Sequence, residues 1–259
     1  MATTKADEVV IYPNGWGALE NIRREKFNEE KMCEHLDFGK PMAEQQVWLD
    51  LLNNGAFDKK IDAIPPESWM NQKEWTKIIE NSKDTYLKYL HLTAIYLANS
   101  NIDYALKNLK NLRKYKKTPT SLFVEAQVYN YLGESVKAGK MLLKAHTMLR
   151  SDLSLAREAF KVASSAGLHK EVYNAYSKLP EEIRKDGRIN MYYIKAVLCL
   201  EGDEKAYELL IKDGGLVVCD VREGELSINS LYLDIMEVRY KREGKEFDKN
   251  KIEMPEVFD

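Results

Sequence analysis

The stretch AQVYNYLGESVKAGKMLLKA, residues 126–145, carries the pattern from which the fold can be inferred. Two runs with helical spacing flank the turn residue Gly133, and small side chains recur on both sides of it, at Ala126, Ala138 and Ala145. Small residues allow two helix backbones to approach closely, and glycine readily takes the left-handed conformation that ends a helix. The stretch therefore predicts a helical hairpin with a tight turn.

Turn residues recur along the chain at intervals of 33, 34 and 35 positions: Ser100, Gly133, Gly167 and Gly202. A compact side chain follows each turn, five places after the first three and four places after the last: Ala105, Ala138, Val172 and Ala206. Such side chains allow two helices to touch. A fixed period of this length is typical of proteins built from repeated helix pairs. We therefore predict an all-α fold, an α-α superhelix of antiparallel helix pairs.

Two of these repeats resemble the tetratricopeptide repeat, a helix pair of about 34 residues. The stretch 126–145 follows the intervals of that family, and the preceding repeat follows them with Thr93 where glycine is usual. The third and fourth repeats carry Phe160 and Lys195 where a small side chain is usual. The resemblance implies a right-handed superhelix with a concave groove lined by the first helix of each pair.

The chain is predicted to consist of four segments. Residues 1–40 hold a linker, a strand at Val9–Tyr12 and a short helix, and residues 41–82 form an irregular helical lead-in. Residues 83–213 hold the repeats, as helices at 84–98, 102–115, 120–132, 135–150, 153–166, 170–178, 187–202 and 203–212. Residues 214–259 hold a strand at Leu216–Cys219, a helix capped by Ser227, and a tail. The two strands could pair as a small β element near the ends.

Composition narrows the classes of partner. With 39 basic and 41 acidic residues the net charge is -2, so no overall field attracts nucleic acid or anionic lipid. The 44% of apolar and 31% of charged residues are typical of an ordered soluble protein. The N-terminus has no secretory signal, and no stretch approaches the roughly 18 apolar residues of a membrane span. We expect a cytoplasmic protein with neither nucleic acid nor membrane as partner.

The sequence contains no arrangement that predicts a cofactor, a metal site or a catalytic group. The three cysteines, Cys33, Cys199 and Cys219, are far apart and odd in number, which favours buried free thiols. The four histidines are isolated from the serine, cysteine and carboxylate neighbours that a triad or a metal site needs. We therefore predict no catalytic residue, no metal and no cofactor.

The predicted groove is the candidate binding site. Its residues belong to the first helices of the second and third repeats: Phe123, Gln127, Asn130, Tyr131, Arg157 and Lys161. Together they could bind an extended protein segment, although polar residues that face a groove are commonly only solvated. They do not include the two lysines and two asparagines of a clamp for a peptide carboxylate, so binding of chaperone tails is not expected.

Lysines form a stripe on the second helix of the first repeat: Lys107, Lys110, Lys114 and Lys117, beside Arg113. A phosphate-binding stripe is one interpretation. Because acidic residues nearly balance basic ones across the chain, a solvated outer face is the favoured interpretation.

Three segments resemble a bacterial family whose members join a galactose-mutarotase-like β-sandwich of unknown function to a C-terminal tetratricopeptide-like region. They are NGWGALE at residues 14–20, IPPESW at residues 64–69, and VCDVREGE at residues 218–225 with Leu231 beyond it. The resemblance implies that this chain is the C-terminal half of a larger carbohydrate-related protein, or a stand-alone version of that half. The family's sugar site belongs to the sandwich, so no catalytic residue is transferred to this chain.

Two functions follow from these patterns. The first is a non-catalytic scaffold that mediates contacts with a protein partner or with an upstream β-sandwich domain. The alternative is an accessory region that completes the active site of a glycoside hydrolase-like enzyme. For that role the candidates lie in one interdomain loop: Asp220, Arg222, Glu223 and Glu225. Two carboxylates can divide acid and base work in glycoside hydrolysis, whereas a polar turn with local ion pairs is the simpler interpretation of the loop.

The alternative is tested by Glu223→Gln in the full-length protein. If this carboxylate takes part in glycoside hydrolysis, the turnover number should fall by orders of magnitude, because the amide can neither donate nor accept the proton. Steady-state kinetics on a glycoside measure the change, and a loss of only a few-fold would reject the enzymatic role.

Overall fold

A computed structural model describes residues 15–58, 70–219 and 227–255 of the chain. The chain divides into two compact units, Met1–Lys116 and Lys117–Asp259, so the boundary lies inside the predicted array of repeats, after its first helix pair. The described residues form α-helices and short 3₁₀ turns and contain no β-strand. The all-α prediction is confirmed.

The first unit contains five α-helices within its described residues. They are α1 (Trp16–Lys26), α2 (Gln46–Asn54), α3 (Lys73–Asn81), α4 (Tyr86–Ala98) and α5 (Ile102–Leu112). Helix α1 packs against α2, α3 against α4, and α4 against α5. The last two match the predicted first repeat to within a few residues at each end.

The second unit contains eight α-helices within its described residues. They are α6 (Pro119–Tyr131), α7 (Ser135–Met148), α8 (Leu153–Ser165), α9 (His169–Tyr176), α10 (Glu181–Arg184), α11 (Gly187–Leu200), α12 (Asp203–Ile211) and α13 (Ile228–Arg242). Most helices pack on their neighbours in sequence, and α11 packs on both α8 and α9. The one-turn helix α10 was not predicted, because four residues after Pro180 are too few to show a helical period.

The predicted turn residues all adopt backbone conformations with positive φ. The angles are 55° at Ser100, 77° at Gly133, 73° at Gly167 and 100° at Gly202. The small or β-branched residues that follow them are completely buried: Ala105, Ala138, Val172 and Ala206. The period in the sequence therefore marks helix hairpins, each reversed by a residue in a conformation that glycine adopts without steric cost.

Close packing between α7 and its neighbours requires a residue without a side chain. A Cβ atom at Gly139 would lie 2.9 Å from Leu168 Cδ1 and 3.0 Å from Ala163 Cα. Both distances are shorter than ordinary van der Waals contact, so a side chain at this position would require Leu168 and the backbone of α8 to shift. No helix among the described residues is both long and apolar enough to cross a membrane.

The predicted strand at Leu216–Cys219 is wrong, since these residues have no regular secondary structure. The partly buried side chains of Leu216 and Val218 pack on the hydrophobic core formed by α11, α12 and α13. The carbonyl oxygen of Val217 passes so close to Gly187 that a Cβ atom there would overlap it. The apolar run thus covers helices instead of pairing in a sheet, and its predicted partner, Val9–Tyr12, lies outside the described residues.

The first unit has an aromatic core around a buried histidine. The ring of His91 lies 4.8 Å from that of Trp48 and is stacked at 5.4 Å on Phe57, measured between centroids. His91 is completely buried. Burial lowers the pKa of His91 from 6.5 to about 3, because the charged ring would lose its hydration in this apolar environment.

His91 should make the first unit sensitive to acid. Above pH 6.5 the ring is neutral in both the folded and the unfolded chain, and its contribution to the pH dependence vanishes. As the pH falls from 6.5 toward about 3, only the unfolded chain takes up the proton. The free energy of unfolding should then fall by up to about 1.4 kcal/mol per pH unit.

Urea titrations followed by tryptophan fluorescence measure this effect, because all four tryptophans lie in the first unit. His91→Phe keeps an aromatic ring and removes the titrating group, so its free energy of unfolding should vary less with pH than that of the wild type. Equal pH dependence in the two proteins would show that His91 is not responsible.

Candidate functional site

Helix α6 carries the first part of the predicted groove. It begins at Pro119, where Thr118 caps the helix by accepting a hydrogen bond from the Ser121 N–H at 3.1 Å. Phe123 is partly buried against the core of the second unit, four places before Gln127, which is also partly buried. At the last two positions of the helix, the side chains of Asn130 and Tyr131 are exposed.

The turn between α6 and α7 bears an exposed apolar tip, formed by Tyr131, Leu132 and Val136. Their exposed fractions are 53%, 42% and 49%. The amide side chain of Asn130 is exposed beside them. Asn130 and Tyr131 were predicted from the sequence as part of the site, whereas Leu132 and Val136 were not. The sequence did contain a signal for Leu132 and Val136. Both are apolar residues close to the turn glycine, where a hairpin exposed to solvent normally carries polar side chains.

Helix α8 carries the second part of the predicted groove. It is capped by Asp152, which accepts a hydrogen bond from the Leu155 N–H at 2.8 Å. Arg157 and Lys161 are four residues apart, so they lie on the same face of the helix, and both are partly buried. Helices α6 and α8 both pack against α7.

Arg157 has a structural partner within the second unit. Its Nε and Nη2 donate hydrogen bonds to Asp186 Oδ2 at 3.1 and 2.5 Å. The other oxygen of this carboxylate accepts the Ile189 N–H at 3.0 Å and so caps the start of α11. Arg157 therefore links α8 to α11, a role that sequence analysis did not assign because the two residues are 29 positions apart.

The lowered pKa of Asp186 agrees with its ion pair to Arg157. Burial by itself would raise the pKa of Asp186, but the hydrogen bonds from Arg157 and from the Ile189 N–H outweigh it. The pKa therefore lies below the usual value of 3.8. The carboxylate stays charged near neutral pH, and the link between the two helices persists.

Helix α11 is covered in part by the C-terminal helix. Lys195, which stands where the repeat pattern has a small side chain, donates to Asp234 on α13 at 2.6 Å. Helix α13 also packs on α12, where Asp203 accepts hydrogen bonds from Arg239 and Arg242 at 3.1 Å each. The exposed members of the candidate site, Asn130 and Tyr131, both lie at the end of α6.

The remaining candidates from the sequence contribute little to a site. The loop residues Asp220, Arg222, Glu223 and Glu225 lie outside the described residues. The lysines of the stripe are exposed, and Lys114 Nζ donates to Asn111 Oδ1 at 2.7 Å, a local pairing typical of a solvated helix face. Among the residues described, no group of histidine, cysteine and carboxylate side chains is arranged to hold a metal ion. Cys33, Cys199 and Cys219, which were predicted to be buried, are exposed free thiols.

No protein-family model matches the chain, and no curated protein or solved structure matches it either. The function must therefore be inferred from the chain's own residues.

The structural role of Arg157 can be measured with a double-mutant cycle. Arg157→Ala should destabilise the second unit by about 1 to 2 kcal/mol, because it leaves the Asp186 carboxylate partly desolvated without its strongest donor. Asp186→Asn keeps the helix cap and removes the charge, so the two changes should be less than additive. Urea denaturation followed by circular dichroism gives the coupling energy.

Hydrogen exchange in the first turn of α11 provides a second measurement, since loss of the link should speed exchange there. If Arg157→Ala changed neither the free energy of unfolding nor the rate of hydrogen exchange, the ion pair would not stabilise the fold, and the arginine would be available for a ligand.

Proposed function

We propose that this chain is a non-catalytic helical-repeat scaffold that binds an extended protein segment along α6 and its turn. The observation that carries the proposal is the exposed apolar tip formed by Tyr131, Leu132 and Val136. Single exposed apolar side chains are common on soluble proteins, whereas several exposed apolar side chains at one turn are typical of an interaction surface, and these three lie between residues 131 and 136. The helix pairs hold this group on a rigid element.

The chemistry of the surface suits a peptide. Tyr131 offers a large apolar ring and a hydroxyl at low cost in conformational entropy, which is why tyrosine is enriched in protein interfaces. The exposed Asn130 amide can both donate a hydrogen bond to a peptide carbonyl and accept one from a peptide N–H. Gln127, one turn earlier on the same helix, extends this capacity along α6.

The charged residues of α8 have a supporting role in the proposal. Because Arg157 already donates to Asp186, recognition depends mainly on the tip and the amides of α6. Lys161, one turn further along α8, is partly buried and is not required for recognition.

The bound peptide segment can come from one of two sources. The resemblance of residues 14–20, 64–69 and 218–225 to proteins with a galactose-mutarotase-like sandwich supports a segment from such an upstream domain. A separate protein is the other source. Neither source requires a catalytic group in this chain, and the enzymatic alternative depends on a loop outside the described residues.

Site-specific crosslinking in cells tests the proposal. A photo-reactive phenylalanine analogue at Asn130 should form a defined adduct with one protein, or with one segment of an upstream domain, identifiable by mass spectrometry. The same analogue at Lys144, an exposed position on α7, is the matched control and should form no such adduct.

A second variant connects the adduct to the apolar tip. Tyr131→Ala together with Leu132→Ala should abolish the adduct at Asn130 while circular dichroism remains unchanged, since both side chains are largely exposed. Adducts that form equally from Asn130 and Lys144, or that persist after the tip is removed, would refute a binding surface at this place.

A further inference from the structure

The first unit contains a cavity of about 370 Å³ lined by residues of α1, α2, α3 and the turns that follow them. Its lining is largely apolar, with Phe27, Leu51, Leu52 and Ile78 contributing side chains. Four charged residues also line it: Arg23, Glu29, Glu74 and Lys77. A volume of this size with a mainly apolar exposed surface is typical of sites for small molecules.

One of the charged groups in the cavity wall is a buried arginine. Arg23 is only 2% exposed. One edge of its guanidinium group donates to Glu20, from Nε at 3.0 Å and from Nη2 at 2.7 Å. The other edge donates to the two oxygens of Glu29, from Nη1 at 2.8 Å and from Nη2 at 2.6 Å. Two carboxylates therefore hold the fork in a bidentate manner, the geometry for which guanidinium is best suited.

The two carboxylates are held very differently. Glu20 also accepts the Trp75 Nε1–H at 2.8 Å and Arg24 Nε at 3.0 Å, so it is fixed from several sides. The Glu29 carboxylate receives its hydrogen bonds from Arg23, and its side chain is 41% exposed. Glu29 is thus the carboxylate that can leave Arg23 for solvent.

The backbone allows that exchange without unfolding. The Glu29 N–H donates to the Arg24 carbonyl oxygen at 2.8 Å, and the preceding residue, Asn28, has a φ of 53°. This cap closes the end of α1 and holds the backbone of Glu29 in place. Rotation of the Glu29 side chain alone would therefore expose the Nη1–H and Nη2–H groups of Arg23 to an incoming ligand.

We propose that this cavity binds a small carboxylate with an apolar body, and that the Glu29 carboxylate occupies the ligand's carboxylate position when no ligand is bound. A buried arginine that lost Glu29 without a replacement would leave charged donors unsatisfied. A ligand carboxylate restores both hydrogen bonds, and the displaced Glu29 side chain gains hydration. The body of the ligand then contacts Phe27, Leu52 and Ile78.

The charge of the cavity is compatible with an anion. The hydrogen bonds that Arg23 donates to Glu29, and then those to Glu20, raise the pKa of Arg23 above its usual value, so the guanidinium remains charged. Lys77 and Glu74, which also line the cavity, offset each other. The proposal concerns the first unit alone and is independent of the peptide surface proposed on the second.

The test compares 4-phenylbutyrate with 4-phenylbutanamide, which has the same body and no charge, by isothermal titration calorimetry. Glu29→Ala removes the tethered competitor, whose effective concentration is in the millimolar range or above. The variant should therefore bind 4-phenylbutyrate at least about tenfold more tightly than the wild type does. The amide should not bind either protein.

Two further variants make the outcome specific. Glu25→Ala removes an exposed glutamate of the same helix and should leave the affinity for 4-phenylbutyrate equal to that of the wild type. Ile78→Trp, introduced into Glu29→Ala, should fill the cavity and abolish binding while circular dichroism shows an intact fold. If Glu29→Ala fails to fold, Glu29→Gln, which keeps the shape and removes the charge, takes its place with a smaller gain in affinity.

The proposal is overturned if folded Glu29→Ala or Glu29→Gln binds 4-phenylbutyrate no more tightly than the wild type. It is also overturned if the amide binds as tightly as the acid, since the guanidinium would then have no part in recognition. Unchanged binding in the Ile78→Trp variant would equally place the ligand elsewhere.

Discussion

The close approach of consecutive helices is the constraint on which the rest of each unit depends. It is possible because Ala105, Ala138, Val172 and Ala206 present small or compact side chains after each turn, and all four are completely buried. Gly139 adds a point at which even a methyl group would force its neighbours on α8 and at the start of α9 to shift. Backbones this close bring large side chains such as Phe160 into the remaining space, where they are fully buried and densely packed. The exposed surfaces, including the apolar tip at the turn after α6, are then carried on a rigid support.

Where the repeat pattern is irregular, ion pairs between helices replace the contacts that small side chains make in the regular repeats. Arg157 reaches Asp186 between α8 and the start of α11, and Lys195 reaches Asp234 on α13. Asp203, buried at the start of α12, is neutralised by Arg239 and Arg242. Each link fixes a helix whose small residues are missing or whose neighbour lies outside the repeats. These side chains look like solvated charges in the sequence, because their partners are between 29 and 39 positions away.

The two candidate sites differ in how far sequence reasoning could reach them. The exposure of Asn130 and Tyr131 follows from the helical register of α6, so their place on the surface was predictable. The cavity of the first unit was not, although Glu20, Arg23 and Glu29 are close in sequence. Charged residues at such spacings are normally solvated, and only the packing of α2 and α3 against this region buries Arg23 to 2% exposure. A buried charge depends on what covers it, which local sequence does not specify.

The helix pairs, their turns and the cap at Ser227 were determined by the sequence alone, since each depends on residues within a few positions of one another. The tertiary structure decided the irregular path of Leu216–Cys219, the partners of Arg157 and Lys195, and the cavity beside Arg23. The sequence of an apolar run such as Leu216–Cys219 is compatible with either a β-strand or an irregular segment that covers helices. Which of the two forms depends on the surface that lies nearby. Periodicity and turn chemistry are local properties of the chain, whereas burial and ion pairing arise only when distant segments are brought together.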